Sequence, residues 1–147
     1  MKNKKKLLLI FSIVCFIFII FYFYYKSDFT LAINHNIRVA SEANRYLYLS
    51  DITPFDWDEA FIIEDPYIGG EALDKLIGVK CNLKRSDFDS TRRIVFINDK
   101  KFVYDYMYKW SQIEFRPLGI TVNKNSCKFI VEKTGSKKVL LKLSDVE

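Results

Sequence analysis

The chain holds a single histidine, three cysteines and 18 acidic residues, and their spacing limits the chemistry open to it. A Ser–His–Asp or Cys–His arrangement would have to recruit His35. No serine stands in a Gly-x-Ser-x-Gly context that would mark a nucleophile elbow. Metal sites built on several imidazoles are excluded by count. Neither Cys81 nor Cys127 belongs to a C-x-x-C pair, so zinc and thioredoxin-type roles have no support. A Cys81–Cys127 bridge would close a loop of about 46 residues and add a few kcal/mol of stability. The favoured expectation is two buried free thiols, because Cys127, Phe129 and Val131 share one face of a strand. Asp56, Asp58, Glu59, Glu64 and Asp65 supply the groups that hard cations and glycoside chemistry use. Asp56-x-Asp58 lacks the further ligands and the glycine of a calcium loop. By alternation Asp58 and Glu59 splay to opposite faces. Solvated strand ends are the simpler account, and no cofactor or metal is expected.

One pattern stands above this background. In Lys101–Trp110, period-two alternation puts Phe102, Tyr104, Tyr106, Tyr108 and Trp110 on one side of a strand. Val103, Asp105, Met107 and Lys109 fall on the other. The simpler expectation is a core face packed beneath an early helix, and the polar residues opposite favour it. The functional expectation is an exposed ledge for peptide, glycan or protein contact, since tyrosine and tryptophan dominate binding hot spots. Tyr106, Tyr108 and Trp110 are the residues expected to carry any such contact.

The elements that must position these residues begin with an N-terminal segment of different character. Leu7 to Tyr25 carry no charge and follow Lys2, Lys4, Lys5 and Lys6. As a helix the run would be roughly 29 Å long, about the thickness of a bilayer core. The lysines ahead of it place the N-terminus in the cytoplasm by the positive-inside rule, with Tyr22, Tyr24 and Tyr25 at the far interface. An uncleaved anchor is favoured over a signal peptide, whose apolar region would be shorter and end at a small-x-small site. Lipidation at Cys15 lacks the small residue just ahead of it, because Val14 stands there. Lys2, Lys4, Lys5, Lys6 and Lys26 account for the whole formal charge of +5. The remainder is neutral, so a nucleic-acid partner has no electrostatic footprint.

The expected organisation is therefore a basic tip (1–6), a transmembrane helix (7–25), a stalk (26–35) and one α+β domain (36–147). About 120 residues outside the anchor suffice for a single core. A helix is predicted over 36–50 through Ile37, Ala40, Ala43 and Leu47, capped by Asn34 or Asn36. Trp57–Ile63 reads as a strand buried on both faces, and Asp65-Pro66 ends it. Glu71–Ile77 reads as a short helix on Ala72, Leu73, Leu76 and Ile77, with Gly78 at its left-handed terminus. Beyond residue 79 the period becomes two. Arg92–Ile97 and Lys101–Trp110 form a hairpin around Asn98-Asp99-Lys100. Strands follow at Ile113–Phe115, Ile120–Asn123, Cys127–Lys133 and Val139–Leu143. The prediction is an antiparallel sheet of about five or six strands bearing one or two helices.

Phe55-Asp56-Trp57-Asp58, the aliphatic strand after it, and Pro66-Tyr67 resemble a stretch in small bacterial membrane-anchored proteins and lipoproteins, roughly F-x-W-D-x-x-x-I-x-x-P-Y. The hairpin Ile94–Lys101 adds a looser likeness. The resemblance implies a cell-envelope location and a compact α+β domain, and it supplies no catalytic residues. Phe55, Trp57, Asp58, Pro66 and Tyr67 would be structural, with Trp57 and Tyr67 as core posts and Asp58 capping a turn. The expected function is that of a single-pass envelope protein acting by binding, with the lipid bilayer and another envelope protein as partners. An immunity- or stress-related role falls within that expectation. The alternative from a different class is a small envelope hydrolase using Asp56, Asp58, Glu59 and Glu64.

Overall fold

The computed structural model describes residues 2–43, 46–135 and 138–144, and in the N-terminal helix the side chains of 12–20, 22 and 29–42. Helix α1 covers Lys2–Glu42 without a break, because neither proline nor glycine occurs in that stretch to interrupt it. It runs straight through the expected stalk and ends well before residue 50. Its domain-facing stripe is set by Ile33 and Ile37, which are fully buried, with Phe29 and Ala40 packed alongside.

Among the described residues no helix is long and apolar enough to cross a membrane. From His35 onward the helix interleaves buried Ile37 with exposed Arg38 and Glu42. The absence of such a helix among the described residues corrects the expected transmembrane anchor, its N-in topology and the single-pass membrane location. The lysine tip, Tyr24 and Tyr25 lie outside the described side chains.

Among the described residues eight strands form two four-stranded sheets. The first has the order β1-β7-β8-β5, with β1 Tyr46–Tyr48, β5 Ile113–Arg116, β7 Lys128–Thr134 and β8 Lys138–Leu143. The second has the order β4-β3-β2-β6, with β2 Glu59–Ile62, β3 Thr91–Asn98, β4 Lys101–Lys109 and β6 Ile120–Asn123. The prediction of one antiparallel sheet is thus corrected on two counts. There are two sheets, and β5 pairs β8 in parallel. The local hairpins β3–β4 and β7–β8 carry turn signals, whereas β1–β7 and β2–β6 join strands far apart in sequence. Strand β1 also occupies part of the predicted 36–50 helix, since Tyr46-Leu47-Tyr48 alternates exposed, buried, exposed.

Both sheets contribute one face to a shared core that includes Ile33 and Ile37 of α1. Strand β3 is buried on both faces. Ile94 and Phe96 enter that core, while Val95 and Ile97 lie under α3 (Gly70–Ile77, the helix after the single-turn α2, Leu49–Ile52) with Leu73, Ile77 and Cys81. Helix α3 ends at Gly78 in the left-handed region, φ 77°. Leu76, expected on its buried face, is exposed. Gly69 is required for a different reason: a Cβ there would meet the backbone nitrogen of Arg85 at 2.2 Å. The loop 79–90 therefore passes directly over it, tied by the Gly70 N–H donating to the Leu83 carbonyl at 2.7 Å.

The β3–β4 hairpin turns through Asp99 and Lys100, both at positive φ, the geometry of a two-residue type I′ turn. Further along, Phe96 pairs with Tyr104 but Ile97 pairs with Phe102. Val103 is the extra residue of a bulge, which reverses the side-chain facing beyond it.

Candidate functional site

That bulge reshapes the aromatic strand. Val103 joins the shared core, and Phe102 turns to the side of Ile97. Trp110 lies just past the end of β4. Only Tyr104, Tyr106 and Tyr108 remain as an inward ladder, and they are 7%, 0% and 4% exposed. The expected ledge is thus corrected for Tyr106 and Tyr108: their face is covered by α1 and the opposite sheet. Tyr104 Oη shares a 3.0 Å hydrogen bond with Thr30 Oγ1. One helical turn on, Tyr106 Oη donates to Asn34 Oδ1 at 2.6 Å. Two residues along a strand and four along a helix advance by nearly equal distances, so the ladder fastens α1 lengthwise. Burial raises the Tyr106 phenol far above its ordinary range, with Tyr108 and Tyr104 adding to it.

Trp110 is 45% exposed and stands in the turn that carries the chain from edge strand β4 of one sheet to edge strand β5 of the other. Around this corner several charged groups meet. Lys138 Nζ lies 4.9 Å from the Trp110 ring centroid and also pairs with Glu114. Arg116 pairs with the same carboxylate. Glu114 is held below the usual carboxylate range, first by the hydrogen bond from Lys138 and then, against some desolvation, by Arg116. On one side of the turn a groove of about 600 Å³ opens between α1 and the β5–β8 end, lined by Asn34, Arg38, Ser41, Gln112, Lys133 and Lys138 among others. On the other side a cavity of about 60 Å³ is lined by Arg92, Tyr108, Trp110, Glu114 and Arg116. Lys138 lines the groove and Glu114 the cavity, so their ion pair joins the two. Sequence reasoning found Trp110 but missed Lys138, Glu114, Arg116 and Arg92, because no local spacing brings β3, β5 and β8 to one corner.

The remaining candidates lie elsewhere. Asp56 pairs with Lys124 at 3.2 Å, and Asp58 Oδ2 accepts the Asp99 N–H at 2.9 Å. Glu64 is at the other end of β2, close to where a Cβ on Gly119 would stand. Asp65 Oδ1 accepts the Tyr67 N–H. Glu59 opens β2 beside Asp58, at the opposite end of the strand from Glu64, so the four carboxylates named for a hydrolase do not all meet. Among the described residues no three metal-ligating side chains form a group. His35 is exposed on α1. Trp57 is buried and its Nε1–H donates to Thr53 Oγ1 at 2.7 Å. Phe55 packs its ring against Phe29, Phe96 and Tyr104. Tyr67 is exposed rather than a core post, because it follows Pro66 in a surface turn.

All three cysteines are free, with Cys81 and Cys127 buried and Cys15 exposed. Burial, with Asp74 and Asp105 nearby, pushes the Cys81 thiol up to about 11. Since the thiolate is the nucleophile, iodoacetamide at pH 8 is expected to alkylate Cys15 readily and Cys81 at least about 100-fold more slowly. Peptide mass mapping of a time course checks this, with equal rates for the two contradicting the buried placement.

Comparison with protein-family models, curated proteins and solved structures finds no significant match. Fold and corner together define an α+β domain with a cationic surface groove beside an exposed tryptophan.

Proposed function

We propose that the chain is a non-catalytic binding module whose β4–β5 corner recognises an acidic surface on a partner protein. The observation that carries this reading is the coincidence, at one turn, of exposed Trp110, the 600 Å³ groove and a surplus of cations. Arg38, Lys133 and Lys138 face Glu42 alone among the groove's charged lining. Ser41 Oγ donates to the Arg38 carbonyl, an arrangement suited to shaping the helix rather than to nucleophilic attack. Aromatic and cationic groups on a rigid corner provide an anchor together with electrostatic complementarity.

The test is capture of partners by the immobilised full chain from an extract of the producing organism, followed by cross-linking to locate the contact. A genuine partner is expected to cross-link near Lys133 or Lys138 and to lose affinity at least about tenfold on Trp110→Ala, in line with a tryptophan hot spot. Binding should also weaken as salt rises. Undiminished capture by folded Trp110→Ala and Lys133→Ala/Lys138→Ala variants rejects the corner as the binding surface.

A further inference from the structure

Helix α3 covers only part of the sheet beneath it. Val95 and Ile97 of β3 pack under Leu73 and Ile77. Beside the helix, along β2 and edge strand β6, a groove of about 440 Å³ stays open. Phe61, Ile68, Leu76 and Ile120 supply most of its apolar lining. Leu76 follows the apolar period of α3 yet is 57% exposed, so its side chain forms a groove wall instead of joining the core. A mostly apolar concavity of roughly 300–1,000 Å³ with a few polar groups has the size and character of a small-molecule site.

The charge on this groove has one sign. Among the described residues, its charged lining consists of Glu64 and Asp65 alone. Glu64 follows the C-terminal end of β2, and its Oε2 would lie 3.2 Å from a Cβ on Gly119. Gly119 also lines the groove, which sets the Glu64 carboxylate at that end of it. Asp65 Oδ1 accepts the Tyr67 N–H at 2.9 Å. Neither carboxylate forms an ion pair among the described residues. Two like charges at the end of an apolar trough attract a cation and disfavour an anion.

We propose that this groove binds a small organic cation, an apolar body carrying one ammonium group. The body lies against Leu76, Ile68 and Phe61, and the ammonium meets Glu64 and Asp65. Removal of apolar surface from water holds the body, and charge-assisted hydrogen bonds to the carboxylates orient the head. Both carboxylates are exposed, so the apolar body supplies most of the affinity and the charges supply the selectivity. A free small molecule is preferred to a partner's lysine because the groove is larger than one side chain fills. The site is separate from the β4–β5 corner and opposite to it in sign, and it goes beyond the binding-module reading.

The probe is n-hexylammonium chloride, titrated into the full chain at constant ionic strength and followed by NMR of isoleucine and leucine methyl groups. A saturable shift in the millimolar range is expected at Ile68, Leu76 and Ile120. Hexanoate should bind at least about fivefold more weakly, the scale of exposed charge pairs, with neutral 1-hexanol between the two. Glu64→Gln combined with Asp65→Asn changes surface side chains only and is expected to stay folded by circular dichroism. It should abolish the preference for hexylammonium over hexanoate and leave hexanol binding unchanged. Leu76→Ala, also at an exposed position, should weaken all three ligands about threefold. The proposal is overturned if hexylammonium gives no saturable shift at the groove methyls, if it shifts only the exposed Ile13, Ile17 and Ile20 of α1, or if hexanoate binds as tightly. A preference for the cation that survives in the folded double variant overturns it too. A blocked Leu-Lys-Leu tripeptide that binds more than about tenfold tighter than hexylammonium overturns the small-molecule assignment in favour of a peptide.

Discussion

Replacing Trp57 with alanine is expected to destabilise the domain by about 3–5 kcal/mol, the cost of emptying a large aromatic site in a packed core. The indole is 2% exposed, packs edge-on against Phe96 at 5.2 Å and donates to Thr53. Thr53 Oγ1 in turn donates to the Leu49 carbonyl at 3.0 Å. The substitution therefore opens a cavity and also removes the acceptor's buried donor. For a domain whose total stability is about 5–15 kcal/mol, this is a large share. Trp57→Phe keeps most of the volume and should cost roughly half as much or less. Urea denaturation of both variants followed by circular dichroism gives the difference. A Trp57→Ala loss below about 1 kcal/mol would mean the ring does not occupy the core as described.

Arg93→Ala is expected to cost a similar amount, about 3–5 kcal/mol, for an electrostatic reason. Arg93 stands on the outer face of β3, 3.8 Å from Asp105 on β4, and their side chains are 5% and 9% exposed. Its guanidinium also donates from Nη2 to the Lys84 carbonyl at 3.0 Å, which ties the loop 79–90 over the sheet. Removing the cation takes the Arg93 ion pair from buried Asp105 and releases the loop. Arg93→Met combined with Asp105→Leu removes both charges at similar volume and should recover much of the loss. Chemical denaturation of the single and double variants forms a mutant cycle. Equal destabilisation by the single and double changes would show that packing, rather than the lost ion pair, sets the cost.

These two sites show unequal legibility. Trp57 announces itself in the sequence as an aromatic beside an aliphatic strand, and local pattern is enough to send it inward. Arg93 does not. It sits in a run that reads Thr-Arg-Arg-Ile-Val-Phe-Ile-Asn, and alternation alone treats two adjacent arginines as one turned in and one turned out. The structure turns Arg92 to the β4–β5 corner and covers Arg93 with a loop that had no predicted role. Gly69 carried no signal either, because its need comes from the backbone of Arg85 passing within a Cβ radius.

The aromatic strand makes the same point in the other direction. Period two was the right period for β4, yet a single bulge at Val103 removed Phe102 from the shared face. The strand's end left Trp110 as the exposed member. A bulge depends on the partner strand, so it leaves little trace in one strand's own alternation. The helix α1 illustrates a boundary error: a break was expected near residue 25 where composition changes, although no residue there stops a helix.

By itself the sequence determined the local grammar: the β3–β4 turn within Asn98-Asp99-Lys100 and the helix ending at Gly78. These depend on backbone preference and side-chain period, which act over a few residues. Tertiary structure alone decided that eight strands divide into two sheets, that β5 runs parallel to β8, and that Tyr108, Arg92, Glu114, Arg116 and Lys138 share a corner with Trp110. Those outcomes depend on pairing between segments far apart in the chain, where burial of both sheet faces at once selects the arrangement and no short-range spacing records it.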